Sequence, residues 1–154
     1  MRRRILLSVG VVMLLAAIAG AGGVDARSSA GPPGDFVLAS FDDQYGMHVW
    51  LSAWSGPAGE EATGRFETSI PWLNAKVDCL AVHRHEALVI GDNRQGYFVV
   101  TLLLRDNHPG PDELLIVDVR QGSSPRRCPP FDGTDGRPGT PVSGDIWVHD
   151  ARVP

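Results

Sequence analysis

The side chains best suited to chemistry in this chain of 154 residues fall in three places. His83 and His85 flank Arg84. On an extended segment both imidazoles would project to one side, as two metal ligands do, and Glu86, His108 or His149 could complete the set. The same stretch lies between two apolar runs, where polar side chains are expected at a hairpin tip. His85-Glu86 begins like the helical zinc-protease motif, but Val89 stands where its second histidine belongs, and the stretch reads as turn and strand. The second place is the run from Asp106 to Glu113. Asp106, Asn107, Asp112 and Glu113 put four oxygen-bearing side chains around a glycine turn, the hard-donor chemistry calcium selects. The run lacks the alternating acids of an EF-hand loop, and Asp, Asn, Pro and Gly are also what ordinary tight turns use. The third place is Trp50 and Trp54, four residues apart on one face of an extended segment. With Trp72 or Trp147 they could form an aromatic platform for a sugar or a peptide. The commoner fate of tryptophan is the core, and burial is the expectation here.

Nucleophilic catalysis has no motif in the chain. Ser52 and Ser55 lie in Ser-Ala-Trp-Ser-Gly, without the glycines of a nucleophile elbow. His149 and Asp150 are adjacent, so on a strand they face opposite sides and form no dyad. No pair of carboxylates stands out, and no cofactor-binding motif occurs. The basic residues are scattered apart from Arg126-Arg127, which argues against nucleic acid as a partner.

The elements that must position these residues follow from the patterning. Arg2, Arg3 and Arg4 precede an apolar run from Ile5 to Ile18, and small residues follow it. This is the three-part layout of a secretory signal, with residues 1–26 removed on export. The apolar run is shorter than the roughly 20 residues a membrane-spanning helix needs, so membrane contact is expected only through this segment if it stays uncleaved. Cutting after Ala26 would remove three arginines and one aspartate, taking the formal charge from −4 to −6. Residues 27–35, rich in Ser, Gly and Pro, read as a flexible leader.

From residue 36 to 154 the chain reads as one all-β domain. Strands are expected at Phe36 to Phe41, Met47 to Trp54, Arg65 to Ile70, Val77 to Val82, Ala87 to Ile90, Tyr97 to Leu104, Leu114 to Val119 and Asp145 to Ala151. Within the second, Met47, Val49, Leu51 and Ala53 share one face, and His48, Trp50, Ser52 and Trp54 the other. The Tyr97 to Leu104 run is apolar on both faces and is expected to be central. Val77 to Val119 holds four apolar runs separated by polar turns at His83 to Glu86, Gly91 to Gly96 and Arg105 to Glu113, the spacing of successive hairpins. Gln121 to Gly144 has many Gly and Pro residues and no period, and is expected to be a long irregular crossing. The two cysteines, Cys79 and Cys128, favour a structural disulfide in an exported chain, since neither belongs to a Cys-x-x-Cys. The expected architecture is about eight antiparallel strands in a small barrel or a two-sheet sandwich, after an N-terminal signal helix.

One set of features resembles a group of small exported bacterial proteins of unknown role. It comprises Val77, Cys79, Leu80 and Val82; Asp106, Asn107, Pro109 and Gly110; Cys128; and the closing run Gly144, Asp145, Ile146, Val148, His149, Asp150 and Ala151. The resemblance implies a shared β fold and disulfide and supplies no activity. The function expected from the residues is a non-enzymatic binding or envelope-associated module, secreted or in the cell envelope, without a cofactor and with an extracellular or envelope partner. The alternative is a small extracellular hydrolase or metal-dependent enzyme whose site is dispersed in sequence.

Overall fold

The structure, a computed structural model, describes residues 34–93 and 95–153. The expected signal segment and most of the leader lie outside them. The leader's last residue does not. Asp35 opens the first strand, because it pairs in register with Ser55 and buries its side chain at the barrel end.

The strands are β1 (Asp35–Asp42), β2 (His48–Ser55), β3 (Thr63–Thr68), β4 (Ala75–His83), β5 (Glu86–Asn93), β6 (Phe98–Arg105), β7 (Glu113–Gln121), β8 (Thr140–Pro141) and β9 (Ser143–His149). A short 3₁₀ turn, Pro71–Leu73, occupies the expected turn before β4. All pairings are antiparallel, in one sheet ordered β8-β7-β6-β5-β4-β3-β2-β1-β9. Sequence neighbours pair throughout except that β9 returns to β1. The sheet curls into a nearly closed barrel, which decides between barrel and sandwich. All eight expected strands are present. The ninth, β8, is two residues inside the crossing expected to be irregular. The turn expected at His83 to Glu86 is tighter. His83 and Glu86 pair across a two-residue tip, and Arg84 takes a positive φ of 57° there.

Alternation fills the interior. Val37, Ala39 and Phe41 of β1 meet Val49, Leu51 and Ala53 of β2, then Phe66, Ala75, Val77, Leu80, Val82, Ala87, Val89, Val100, Leu102, Leu104 and Ile146 around the barrel. The inner face of β2 is the Val49, Leu51, Ala53 face, and Trp50 and Trp54 lie on the other. The tryptophans expected in the core are therefore outside. Aliphatic residues and two phenylalanines already fill the small lumen.

Two irregularities shape the outer surface. In β4, Val77 pairs with Gly91 and Cys79 with Ile90, so Asp78 is an extra residue. The bulge reverses the alternation. Val77 and Leu80 face in, while Cys79 faces out and joins Ile90 and Val99 in a second small apolar cluster. There the disulfide Cys79–Cys128 fastens the crossing 122–139 over the outer face of β4 to β6. Ser124 secures its start, its N–H donating to Asp92 Oδ1 at 2.5 Å and its Oγ–H to Asp78 Oδ2 at 3.0 Å. The strand β6 is thus covered on both faces, as its composition suggests.

The barrel closes between β7 and β9 without a strand ladder. The Asp106 to Asp112 loop does this instead. Asp112 Oδ2 accepts the Ile146 N–H at 2.6 Å, Asp106 Oδ2 accepts the Val148 N–H at 3.3 Å, and the Asp112 carbonyl accepts the Val142 N–H at 3.0 Å. Side-chain carboxylates stand in for the missing backbone partner of β9.

Candidate functional site

The outer face of β9, β1 and β2 carries a mosaic of rings and polar groups. In β1, Phe36, Leu38, Ser40 and Asp42 alternate with the core residues and point outward. The register sets His149, Phe36 and Trp54 side by side, then Trp147, Leu38 and Ser52, then Asp145, Ser40 and Trp50, with Arg65 and Glu67 of β3 flanking Ser52 and Trp50. The Phe36 ring stacks on His149 at 4.8 Å and meets Trp147 edge-on at 6.4 Å. Trp147 is 64 % exposed and Trp50 49 %. A shallow groove of about 260 Å³ runs beside Trp50, lined also by Ser52, Arg65 and Glu67.

One constellation at the edge of this face was invisible in sequence order. Asp42 Oδ1 lies 2.6 Å from His48 Nδ1, and His48 Nε2 lies 3.4 Å from Ser40 Oγ. The His48 ring rests 4.0 Å from that of Trp50. The connectivity is that of an acid–histidine–serine triad. Its components come from i and i+2 on β1 and the cross-strand position on β2, which is a register fact rather than a motif. The site lacks the second half of acyl-transfer chemistry. Ser40 sits within β1, paired with both β2 and β9, so the ladder occupies the backbone donors that would form an oxyanion hole.

At one barrel end lies a polar network. Glu86 and Arg105 are buried together: Arg105 Nε donates to Glu86 Oε1 at 2.8 Å, and Arg105 Nη1 to Glu113 Oε2 at 2.6 Å. Thr134 donates its N–H to Glu86 Oε2 at 2.7 Å and its hydroxyl to Oε1. Burial pushes the Glu86 carboxyl up, but the hydrogen bonds from Thr134 and Arg105 outweigh it and hold the acid below its ordinary range. Nearby, Asp150 Oδ2 accepts the Arg84 N–H at 2.8 Å, and Asp150 Oδ1 accepts Arg152 Nε at 3.0 Å. Burial raises the Asp150 carboxyl less than these donors lower it. Asp35, beside Asp150 and Arg152, lines a cavity of about 360 Å³ with Gly59, Val82, Arg152 and the Cys128 to Asp132 segment.

The predicted site residues divide as follows. Cys79 and Cys128 are disulfide-bonded. Trp50 and Trp54 share the outer face, joined there by Trp147; Trp72 lies elsewhere, against Phe98 at 6.2 Å. Asp106 and Asp112 are brought together at the seam, where each of their four carboxylate oxygens accepts a backbone amide. Glu113 is drawn away from them to Arg105, and Asn107 is held through its own N–H by Asp112. His83 ends β4 and packs against Gly133, while His85 is exposed at the hairpin tip. Both face a polar cleft of about 360 Å³ over Glu86 and Arg105. Among the described residues, no group of three or more His, Cys, Asp or Glu side chains is placed to hold a metal ion. His149 and Asp150 form no dyad: His149 stacks on Phe36, and Asp150, just past the end of β9, is buried against Arg84 and Arg152.

Comparison with known protein families, curated proteins and solved structures finds no match to this chain.

Proposed function

We propose that the protein is an exported, non-enzymatic binding module that holds a neutral or amino-sugar polysaccharide on the outer face of β9, β1 and β2. The observation that carries this reading is the mosaic itself. Exposed Trp147 and Trp50, with Phe36 and Trp54 beside Trp147 toward His149, share the face with Ser40, Ser52, Asp145 and Arg65. A sugar chain presents apolar C–H faces and hydroxyls in alternation, so it needs flat rings and hydrogen-bonding side chains in one plane. The groove beside Trp50 is shallow rather than enclosed, which suits a chain more than one engulfed sugar. The acidic residues Asp42, Glu67 and Asp145 around the rings, and the net charge of −4, disfavour an anionic membrane surface. The signal-like N-terminus and the disulfide support an oxidising compartment outside the cytosol.

Tryptophan fluorescence titrations and pull-downs on insoluble polysaccharides test this reading. Trp147→Ala and Trp50→Ala should each weaken binding about tenfold. Trp72→Ala, which removes an exposed ring from another surface, should leave it unchanged. No binding across neutral and amino polysaccharides, or equal loss in all three variants, refutes it.

A second reading, an extracellular hydrolase, draws on the Ser40–His48–Asp42 geometry. A fluorophosphonate probe decides it. Labelling at Ser40 that is lost in His48→Ala supports the hydrolase, and an unlabelled Ser40 removes it.

A further inference from the structure

The surface of β7 suggests a second interaction that is independent of the aromatic face. Beyond Leu114, where β8 ends its pairing, no strand among the described residues pairs with the outer edge of β7. Leu115 to Gln121 therefore presents unpaired backbone donors and acceptors on that side. The chain leaves the edge open as it departs. The Gly122 N–H donates to the Tyr97 carbonyl, so the crossing turns back over β6 and away from β7. Val117 is 42 % exposed and Val119 37 %, although both share a face with the core residues Leu102 and Val100. Beside Val117 a largely apolar groove of about 350 Å³ opens toward Tyr45, Met47 and Val142. Such an edge is incomplete as a sheet margin.

Its charges indicate the partner. Asp118 and Arg120 alternate with the valines and point to the opposite, exposed face. An antiparallel copy of the same strand, centred on Val119, places Asp118 of one molecule opposite Arg120 of the other, and Arg120 opposite Asp118. The same register stacks Val119 on Val119 and sets Val117 opposite Gln121. It is the single antiparallel register that pairs the two opposite charges, and two-fold symmetry makes the pairing occur twice. We propose that the protein forms a two-fold dimer by β7-to-β7 addition, in the register that crosses Asp118 with Arg120. The short edge makes this a weak, micromolar association.

Sedimentation velocity on the protein purified from the full-length sequence, from about 1 μM to about 500 μM, should show a monomer–dimer equilibrium. Asp118→Arg alone and Arg120→Asp alone each replace two attractive pairs by two repulsive ones and should weaken the dimer at least tenfold. The double variant Asp118→Arg with Arg120→Asp restores opposite charges and should return dimerisation to within about threefold of the original. Circular dichroism melts verify that each variant is folded, since both positions are exposed. A monomer at every concentration overturns the proposal, whether the edge stays solvated or is taken by the chain's own N-terminal residues. A dimer that the single reversals leave intact, or that the double exchange fails to restore, overturns it equally.

Discussion

Asp35 is the residue whose environment is hardest to reconcile with stability alone. It is 1 % exposed, and its Oδ2 has no hydrogen-bond partner among the described residues, while Oδ1 accepts the Ala151 N–H at 2.9 Å. Burial pushes its carboxyl above the ordinary value of 3.8; the Ala151 amide opposes this, and the negative charge of Asp150 adds to it. A raised acid favours the fold while protonated. Its contribution is present below pH 3.8 and is lost as pH rises through the folded value. Glu86 has the opposite sign. Its depressed carboxyl contributes above pH 4.5 and is lost as pH falls through its folded value. Asp35→Asn should therefore gain thermal stability relative to the unaltered protein as pH rises from about 3 to about 7, with little difference at the acid end. Melting temperatures across that range check it, and a pH-independent difference would show that Asp35 ionises without penalty. No local pattern marks Asp35, because a Gly-Asp before an apolar run reads as loop. Its partner lies 116 residues away.

At the scale of elements, the Asp106 to Glu113 loop acts as a clasp. Its composition suggested calcium; its geometry spends the Asp106 and Asp112 oxygens on backbone amides that β9 would otherwise leave without a partner. Asp112→Ala removes acceptors for Ile146 and Asn107 and should destabilise the protein by about 2 kcal/mol. Hydrogen exchange should locate the damage, with the Ile146 and Val148 amides accelerating more than amides in β4 or β5. Uniform acceleration would mean that the loop has no specific hold on β9. The apolar character of both faces of β6 was legible, since its run carries large apolar residues at every second position on either side. The bulge at Asp78 was not, because it exists only against a partner strand. That bulge carries Cys79 to the outer face, so the disulfide location on the outside was equally hidden.

For the whole molecule, the disulfide and the Glu86–Arg105–Thr134 network hold the 122–139 crossing against the barrel. The cysteines are separated by 49 residues. Cross-linking a loop of that size limits the unfolded chain by roughly 4 kcal/mol. The double variant Cys79→Ala with Cys128→Ala should lose stability on that scale and become sensitive to proteolysis first within 122–139. Calorimetry and mapping of the initial cleavage site check both. First cleavage in β4 or β5 would show that the crossing is not the element the cross-link protects.

The chain's own letters determine the all-β character and eight of the nine strands. Turn chemistry and two-residue alternation act over a few residues and do not depend on distant partners. The two cysteines, neither in a Cys-x-x-Cys, also point to a structural bond between them, and they form one. Tertiary structure alone decides that the sheet curls on itself through β9 and β1, that Trp147 joins Trp50 and Trp54 outside rather than in the core, and that Ser40, His48 and Asp42 meet. Each of these follows from cross-strand register and from how much volume the closed lumen can hold. Those quantities are sums over non-local pairings, to which no short stretch of sequence is committed by itself.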